Sequence, residues 1–426
     1  MFSPRKCIRF TIKTTLILIV SIVVIDFFGL VKHLFELNYY TLFNYPLEGD
    51  VLKYAHQIRF NQVPEVAPIN FYNYTFLKSA KEKCISDDGP IVPKITIVVK
   101  SAMKHFERRS AIRQSWGFER RFSDVKIRTV FVLGVSSDNE NLQKHIDNED
   151  DQFHDIIQGN FEDTYFNNTI KTMMGFKWAA NFCSTSKFYF FADDDYYLSV
   201  KNMLRFLQNP TRYPVYLEEA DETLRKLSRR LKEAKLTNQT LHNELLKEMN
   251  EALAKGVVSH QQKKHYHEIE NYVIKNGVNF NSINREALGF ENDPDLTKDD
   301  RLFAGYVFNS SPHRHKSSKW YVSLSEYPFH MWPTYVTAGA FFLSRDALLD
   351  MYFTSMYTKH FRFDDVYLGL VALKAKITPL HNEEFYFYKA SYAGTQSYRY
   401  VIASHGYDDM REMTRIWNEC RAAGHA

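Results

Sequence analysis

The hydrophobic pattern between residues 95 and 192 alternates between short apolar runs and amphipathic stretches. The short runs are rich in β-branched and aromatic residues and predict strands at 95–99, 128–134, 155–157 and 188–192. The stretches between them predict helices at 107–116, 139–146 and 165–180. Strands that alternate with helices indicate an α/β fold with a mainly parallel sheet and crossover helices.

A longer apolar run lies near the N-terminus, at residues 14–31, interrupted by Asp26. It has about the length of a membrane-spanning helix, ~20 residues. The basic residues of segment 1–13 predict that this tail is cytosolic and that the rest of the chain is lumenal. A cleaved signal peptide is the alternative, but no small-residue cleavage site follows the run. We therefore expect an uncleaved signal anchor, whose span is shorter if Asp26 lies at the lumenal interface.

Residues 32–93 have no clear period and are interrupted by several prolines. This pattern predicts a lumenal stem that connects the anchor to the globular domain.

Residues 217–300 form a charged segment with a partial heptad pattern. The seam comprises Leu217, Ala220, Leu224, Leu227, Leu231, Ala234, Asn238, Leu241 and Leu245. The pattern over 217–245 indicates either a coiled coil used for self-association or a charged helical or disordered insertion. A glycan on Asn238 would block the seam at that position.

Composition narrows the class of protein. The chain has 426 residues and a net charge of +4, with a basic cluster in the N-terminal tail. No basic stripe is present, so we expect no nucleic-acid partner. Three of the four cysteines would be lumenal, and three cannot all pair within one chain: Cys84, Cys183 and Cys420. Glycosylation sequons begin at Asn73, Asn167, Asn238 and Asn309.

Asp193, Asp194 and Asp195 follow the apolar run 188–192 directly. Ligands of open α/β sheets bind beyond the carboxyl ends of strands, and three adjacent carboxylates repel one another there. A hard divalent cation such as Mg²⁺ or Mn²⁺ would neutralise them and keep sites open for substrate phosphates. An acidic turn or a helix N-cap is the alternative interpretation.

An ordered series of motifs resembles glycosyltransferase family 31, the β-1,3-galactosyltransferases. The matching segments are 109–116, 155–171, 187–195, 319–323, 326–328, 335–344, 364–369, 398–405 and 413–417. The resemblance covers residues 95–417 apart from the insertion, and the order of the motifs makes it specific.

The resemblance implies a GT-A-type nucleotide-diphospho-sugar transferase fold in a type II Golgi membrane enzyme. Residues 94–216 would bind the nucleotide sugar, and residues 301–426 would bind the acceptor and carry the catalytic base. The family uses a UDP-sugar donor, an inverting displacement and a divalent metal, usually Mn²⁺. We expect galactose transfer in β-1,3 linkage to a glycan of a glycolipid or glycoprotein. UDP-N-acetylglucosamine and UDP-N-acetylgalactosamine are alternative donors.

A non-catalytic lumenal binding or scaffold protein on the same fold is the alternative from another class. The presence of Asp195, Asp365 and His405 argues against it. By resemblance Asp195 is the direct metal ligand and His405 a further ligand, although a lone histidine is more often structural. Asp193 and Asp194 would lie beside them in the donor site.

Asp365 matches the residue of the family that removes the proton from the acceptor hydroxyl. Asp364 precedes it where the family usually has Glu, and we expect it in the substrate region. Capping of a helix N-terminus is the alternative role for this acidic pair.

The remaining candidates are positions that could contact the donor or the acceptor. Arg109 and Arg113 share a helical face and could bind phosphate, although a solvated arginine is commoner. Lys171 falls where the family has a lysine near the nucleotide.

Trp320 and Tyr327 could stack on a sugar, with core aromatics as the alternative. Gly339 would allow close approach of the backbone to the donor sugar, with Ala338 replacing a second glycine.

Overall fold

The structure is a computed structural model, which describes residues 4–44, 49–70, 72–136, 140–237, 247 and 301–426. The helices are α1 Pro4–Phe27, α2 Tyr39–Leu42, α3 Val51–Arg59, α4 Phe106–Gln114, α5 Glu140–Phe153, α6 Asn168–Phe182, α7 Val200–Phe206, α8 Val215–Thr237, α9 Arg345–Ser355, α10 Asp364–Lys374 and α11 Met410–Ala422. The strands are β1 Phe76–Lys78, β2 Ile85–Ser86, β3 Gly89–Pro90, β4 Ile95–Lys100, β5 Ile127–Val135, β6 Ile156–Glu162, β7 Phe188–Asp193, β8 Tyr197–Leu198, β9 Phe303–Phe308, β10 Tyr335–Ser344, β11 Leu380–His381, β12 Phe385–Tyr386 and β13 Ala403–Ser404.

An eight-stranded mixed sheet forms the centre of the protein, in the order β1-β6-β5-β4-β7-β10-β9-β11. The strands β4 to β7 are parallel, as the alternation of strands and helices predicts. Strand β10 runs antiparallel to both β7 and β9, with Ala340 opposite Ala192. The predicted α/β class is confirmed, and the sheet is mixed because the second half of the chain adds antiparallel strands.

The central strands are apolar on both faces because helices cover both sides of the sheet. In β4, Val98 packs into the hydrophobic cluster on one face, whereas Ile97 and Val99 pack into the cluster on the other. Helices α6, α9 and α10 cover the first face. Helices α4, α7 and α11 cover the second. The carboxyl ends of β4 and β7 therefore meet at one edge, flanked by α4, α6 and α10.

Much of segment 32–93, predicted as a stem, is packed on the globular domain. Strand β1 pairs with β6 and extends the central sheet by one edge strand. Helix α3 packs on α9, where Arg59 forms ion pairs with Asp346 and Asp350. The short length of these elements explains why periodicity does not reveal them. The structured domain therefore extends N-terminal to residue 94.

A disulfide joins Cys84 of this segment to Cys183, and Cys420 is a buried free thiol. The expectation that one of the three is unpaired is confirmed. A disulfide is consistent with an oxidising compartment.

Helix α1 extends over 24 residues, with most large apolar side chains between Leu16 and Phe27 exposed. Within the described part of the chain, no helix reaches the length and mean hydropathy needed to cross a bilayer.

The predicted insertion begins inside helix α8. Leu217 is buried in the domain core, Ala220 is also buried, and Asp221 pairs with Arg399. The first seam positions therefore pack within the chain rather than presenting a free surface. The side chains of Leu224, Leu227, Leu231 and Ala234 lie outside what the structure describes, as do Asn238, Leu241 and Leu245.

Candidate active site

Lys100 and Asp193 lie side by side where β4 and β7 end, because the two strands pair in parallel register. The Lys100 ammonium lies 3.0 Å from Asp193 Oδ1 and 2.9 Å from Asp364 Oδ2. Burial opposes its charge, but the two carboxylates raise the pKa of Lys100. One buried cation thus links the aspartate-tipped strand to the start of α10.

Asp193 keeps an exposed face toward the cleft, with 35% of its side chain accessible. Desolvation and the nearby charges of Asp195 and Asp364 raise its pKa, against the effect of Lys100. The crowding of negative charge around this accessible carboxylate is what a bound cation would relieve.

Asp194 is buried. Its carboxylate accepts hydrogen bonds from Ser101 Oγ at 2.6 Å, His105 Nδ1 at 2.8 Å and Arg108 Nη1 at 2.8 Å. Burial acts in the opposite direction, but these bonds keep the pKa of Asp194 below its usual value. The residue holds the end of β7 against α4, so the predicted donor contact by Asp194 is not available in this conformation.

Asp195 and His405 face each other across a short antiparallel pairing. Strand β13 ends immediately before His405 and pairs with β8, and Tyr407 donates its backbone N–H to the Asp195 carbonyl. Asp195 Oδ2 lies 3.4 Å from His405 Nε2. Hydrogen bonding to Asp195 raises the pKa of His405. The structure brings the two predicted metal ligands together.

The Asp195 Oδ1 atom is buried without a hydrogen-bond partner. Buried carboxylate oxygens are normally satisfied, so an unpartnered one beside an accessible imidazole fits a metal-binding role. Across the described ranges, no group of three or more His, Cys, Asp or Glu side chains is arranged to hold a metal ion. A hard cation bound through one or two protein ligands plus substrate phosphates needs no such group.

Asp364 and Asp365 begin α10 and have different partners. Asp364 Oδ2 accepts hydrogen bonds from Lys100, Asn168 Nδ2 at 2.8 Å and Thr172 Oγ1 at 3.0 Å. Burial opposes ionisation, but Lys100 and these donors lower the pKa of Asp364.

Asp365 is half-buried, and its Oδ1 accepts a hydrogen bond from the Val366 backbone N–H at 2.7 Å. Burial and the charge of Asp364 raise the pKa of Asp365. Adjacent carboxylates whose pKa values move apart are typical of a base beside a permanently ionised neighbour.

An exposed aromatic group lies near these carboxylates. Trp320 is 45% exposed, and Lys319 Nζ lies 4.4 Å from the centre of its ring and 5.9 Å from that of Tyr165. Burial raises the pKa of Tyr165, and the charges of Asp364 and Asp365 act in the same direction. An exposed tryptophan at this position can stack on a sugar ring.

Tyr327, the other aromatic candidate, is fully buried. Its hydroxyl donates to the Met331 carbonyl, and its ring packs on Trp332 at 4.1 Å. The core interpretation is therefore correct for Tyr327, and a stacking role is wrong for this conformation.

Gly339 lies against the Tyr196 hydroxyl, where a Cβ atom would come within 2.3 Å of the oxygen. Glycine is required here for close packing of Tyr196.

The predicted phosphate contacts of Arg109 and Arg113 are not available, because both arginines belong to an internal ion network. Arg109 is fully buried and bonds Glu149 through two nitrogens, at 2.9 and 2.6 Å. Arg113 bonds Asp155 in the same paired manner, at 2.8 Å for both contacts, and also contacts Glu149. The shared helical face is correct, but it faces the protein interior.

Lys171 is also buried, and it pairs with Asp163 at 2.6 Å and donates to the Ser101 carbonyl at 2.7 Å. These contacts hold α6 next to the carboxyl ends of β4 and β7 and leave the Lys171 ammonium buried. Its predicted contact with the nucleotide is not seen in this conformation.

Sequence reasoning missed Lys100 and Arg108. Arg108 is partly exposed and bridges Asp194 to Asp408 at 2.7 Å, with Asp195 Oδ2 3.8 Å away. Lys100 could have been found from the sequence, because it is a lysine at the end of an apolar strand that is predicted to lie in the same sheet as the strand ending at Asp193. No comparable signal marks Arg108, since adjacent arginines look alike in sequence.

Two of the sequon asparagines, Asn73 and Asn309, are exposed. Asn167 is half-buried and donates from Nδ2 to the Glu162 carbonyl at 2.8 Å. Asn238 lies outside the described residues.

The chain matches known proteins over most of its length. The galactosyltransferase family model matches residues 107–288 and 282–383. The β-1,3-galactosyltransferase brn of Drosophila melanogaster is 38% identical over 411 residues, which cover 96% of each chain. The β-1,3-galactosyltransferase 1 of Mus musculus is 28% identical over 358 residues, covering 84% of this chain and 82% of the relative. The β-1,3-galactosyltransferase bre-5 of Caenorhabditis elegans is 26% identical over 315 residues, covering 74% and 71%.

These matches extend over the segments that carry the ordered series of motifs. The predicted resemblance to glycosyltransferase family 31 is confirmed: this chain belongs to the galactosyltransferase family.

Proposed function

We propose that this protein is an inverting glycosyltransferase with a GT-A-type fold that transfers galactose from UDP-galactose, in β-1,3 linkage, to an acceptor glycan on a lipid or protein. The family and the names of its relatives support the sugar and the linkage. The observation that carries the chemistry is the pair Asp364–Asp365, in which one carboxylate is neutralised by Lys100 and the other is left available.

Asp365 is the base of the reaction. The acceptor oxygen forms a bond to the anomeric carbon as the bond from that carbon to the UDP β-phosphate oxygen breaks. The acceptor hydroxyl proton passes to the Asp365 carboxylate, and UDP leaves with the bonding electron pair. A raised pKa suits this role, because a base whose pKa approaches the working pH accepts a proton most effectively.

Asp364 positions the base instead of accepting the proton. Its Oδ2 atom receives three hydrogen bonds, and its lowered pKa keeps it ionised. Its negative charge helps to raise the pKa of Asp365. This division of roles explains how Asp can stand here in place of the family's usual Glu.

Asp195 and His405 are the residues that would hold Mn²⁺ or Mg²⁺, with Asp193 beside them. Such a cation would supply positive charge against the diphosphate of UDP. His405 must be neutral to bind a metal, so the raised pKa of its imidazole makes metal binding weaker in acid. Arg108 adds a guanidinium at the same end of β7 and can contribute to holding the diphosphate.

Trp320 forms the apolar part of the acceptor site, with Tyr165 next to it. Sugar rings present C–H faces that pack well on exposed aromatic rings, and a tyrosine hydroxyl can orient the sugar by hydrogen bonding. In this proposal the acceptor sugar stacks on Trp320 with its reacting hydroxyl directed to Asp365.

The location proposed for this chain is the Golgi membrane, with a single type II anchor and a lumenal catalytic domain. The basic tail before the apolar run supports this topology, and Asp26 marks the lumenal end of the span. The disulfide Cys84–Cys183 is compatible with the lumen.

The test is a transfer assay with a panel of UDP-sugars on purified full-length protein and an array of glycan acceptors. We expect UDP-galactose to be used, a β-1,3-linked product, and loss of transfer in EDTA that Mn²⁺ restores. Preference for UDP-N-acetylglucosamine or UDP-N-acetylgalactosamine would replace the proposed donor. Binding of glycans without turnover of any UDP-sugar would favour a scaffold protein on this fold.

A further inference from the structure

The segment immediately after α1 is fastened to the loop that carries the acceptor-site tryptophan. We call residues 313–330 the acceptor loop. Lys316 Nζ contacts Asp26 Oδ2 at 2.7 Å, and the Lys316 backbone N–H donates to the Phe27 carbonyl. Further along, the Leu37 backbone N–H donates to the Pro328 carbonyl, and the His330 backbone N–H donates to the Leu37 carbonyl. The contacts span residues 26–37, so no flexible linker separates α1 from this loop.

The fastening reaches into the protein interior. Arg314 is buried and pairs with Glu36 at 2.7 Å, and it also donates to carbonyls within the acceptor loop. Gly29 lies against the Arg314 backbone, where a Cβ atom would come within 2.5 Å of the carbonyl oxygen. Gly29 also has φ +76°, which favours glycine. The close approach and the positive φ each require glycine at position 29. Together with the buried ion pair, they indicate a specific interface between the two segments.

The same contacts connect to the proposed catalytic base. Lys32 Nζ donates to the Tyr321 hydroxyl at 2.7 Å, next to Trp320. The Tyr321 carbonyl accepts a hydrogen bond from Arg362, which lies two residues before Asp364. A continuous set of contacts therefore runs from the end of α1 through the acceptor loop to the start of α10.

The outer side of this fastened segment is a strongly exposed apolar surface. Leu30, Val31, Leu34 and Phe35 lie on it, and Leu34 and Phe35 are 81% and 68% exposed. Tyr40 follows at 76% exposed. We call these five residues the apolar collar. Exposed apolar groups of this kind mark a contact with a partner or a membrane, because leaving them in water costs ~25 cal/mol per Å².

Continuity with α1 identifies the occupant. The exposed apolar side chains of α1, from Leu16 to Phe27, lead directly into the collar. A surface that follows a membrane anchor lies at the depth of the lipid headgroups, where aromatic side chains such as Phe35 and Tyr40 are favoured.

We propose that the apolar collar rests in the lumenal leaflet of the bilayer, so that the fastened acceptor loop holds the catalytic cleft at a fixed height above the membrane. This inference rests on the proposed anchoring of α1. It adds that the domain is seated on the lipid surface and does not swing on a stem.

The test uses the full chain, with Cys7→Ser, in nanodiscs that hold one chain each. A polarity-sensitive fluorophore is attached at Leu34→Cys, or at Phe35→Cys as a second site. Val63→Cys, on a residue that is 91% exposed and outside the collar, is the matched control. We expect blue-shifted emission at both collar sites, with most of it quenched by lipids brominated near the headgroup, and no such change at Val63.

The outcomes separate the inference from the anchoring on which it rests. A chain that fails to incorporate into nanodiscs contradicts the anchoring itself. A chain that incorporates but shows water-like, unquenched emission at both collar sites overturns the seating while leaving the anchor intact. Burial of the label only in discs that hold two chains would assign the collar to a second copy and would also overturn the proposal.

The fastening has its own test. Lys316→Glu places a negative charge beside Asp26, whereas Lys389→Glu makes the same change at an exposed pair with Glu412, away from the collar. We expect Lys316→Glu alone to make segment 26–44 sensitive to protease added to the lumenal side and to reduce quenching at Leu34. Equal protease resistance in both variants, with quenching unchanged, would contradict the role of the fastening.

Discussion

Asp364 and Asp365 are consecutive carboxylates, yet the structure gives them opposite electrostatic surroundings. Asp364 is neutralised by the buried Lys100 and hydrogen-bonded by Asn168 and Thr172, which lowers its pKa. Burial and the negative charge of Asp364 raise the pKa of Asp365. The negative charge of Asp364 keeps the pKa of Asp365 raised. Asp364 can remain ionised although it is buried, because Lys100 neutralises its charge.

The first prediction concerns the pH dependence of turnover. Protonation of Asp365 removes the base, so kcat falls as the pH drops through its raised pKa, well above the ~3.9 of an ordinary aspartate. The measurement is kcat against pH at saturating metal, donor and acceptor, because protonation of His405 would otherwise weaken metal binding. An acid limb near the ordinary aspartate value would show that Asp365 is not the titrating base.

The second prediction concerns the metal. Asp195→Asn removes the charge of a carboxylate whose Oδ1 is buried without a partner, so we expect Mn²⁺ binding measured by calorimetry to be lost. Folding should survive, because one of three repelling carboxylates is removed. Asp408→Asn is the control, since the Asp408 side chain is 81% exposed and pairs with Arg108 at the protein surface. Unchanged Mn²⁺ affinity in Asp195→Asn would exclude Asp195 as a ligand.

The third prediction distinguishes two adjacent arginines. Arg109→Met leaves the buried Glu149 with one cation fewer, which should lower the free energy of unfolding by about 3–5 kcal/mol. Donor affinity of the folded fraction should be unchanged. Arg108→Met should differ by weakening UDP binding in addition to lowering stability, because the buried Asp194 also loses a cation. Denaturant unfolding and UDP titration measure the two effects, and a loss of UDP binding in folded Arg109→Met would restore its phosphate role.

The fourth prediction tests the packing at the start of the insertion. Ala220 is buried, so Ala220→Glu should lower the free energy of unfolding by at least about 2 kcal/mol. Thr223→Glu, at an exposed position of the same helix, is the matched control. If sedimentation instead showed that Ala220→Glu dissociates an oligomer without loss of stability, Ala220 would belong to a seam between chains.

Much of the fold was accessible from sequence because the apolar strands are buried on both faces and the helices between them are amphipathic. The resemblance also predicted Asp195, His405 and Asp365 as site residues, and the structure brings Asp195 and His405 together. Burial of individual polar side chains was not accessible. Arg109 and Arg113 share a helical face, but periodicity does not say whether that face meets solvent or Glu149.

The same limit applies to aromatics and to short elements. Trp320 and Tyr327 have similar sequence surroundings, and only the fold leaves one exposed and buries the other. The three-residue strand β1 is stabilised by pairing with β6, a tertiary contact that the local pattern does not encode.

The most direct test of the central claim is single-turnover transfer by Asp365→Asn, compared with Asp364→Asn. Asparagine keeps the size of the side chain but cannot accept the acceptor proton, so we predict a ~10²–10⁴-fold loss of the transfer rate with UDP-galactose affinity unchanged. Asp364→Asn, which removes the counter-charge of Lys100, should mainly lower thermal stability. Near-normal transfer by Asp365→Asn, with the large loss confined to folded Asp364→Asn, would contradict the assignment of Asp365 as the base.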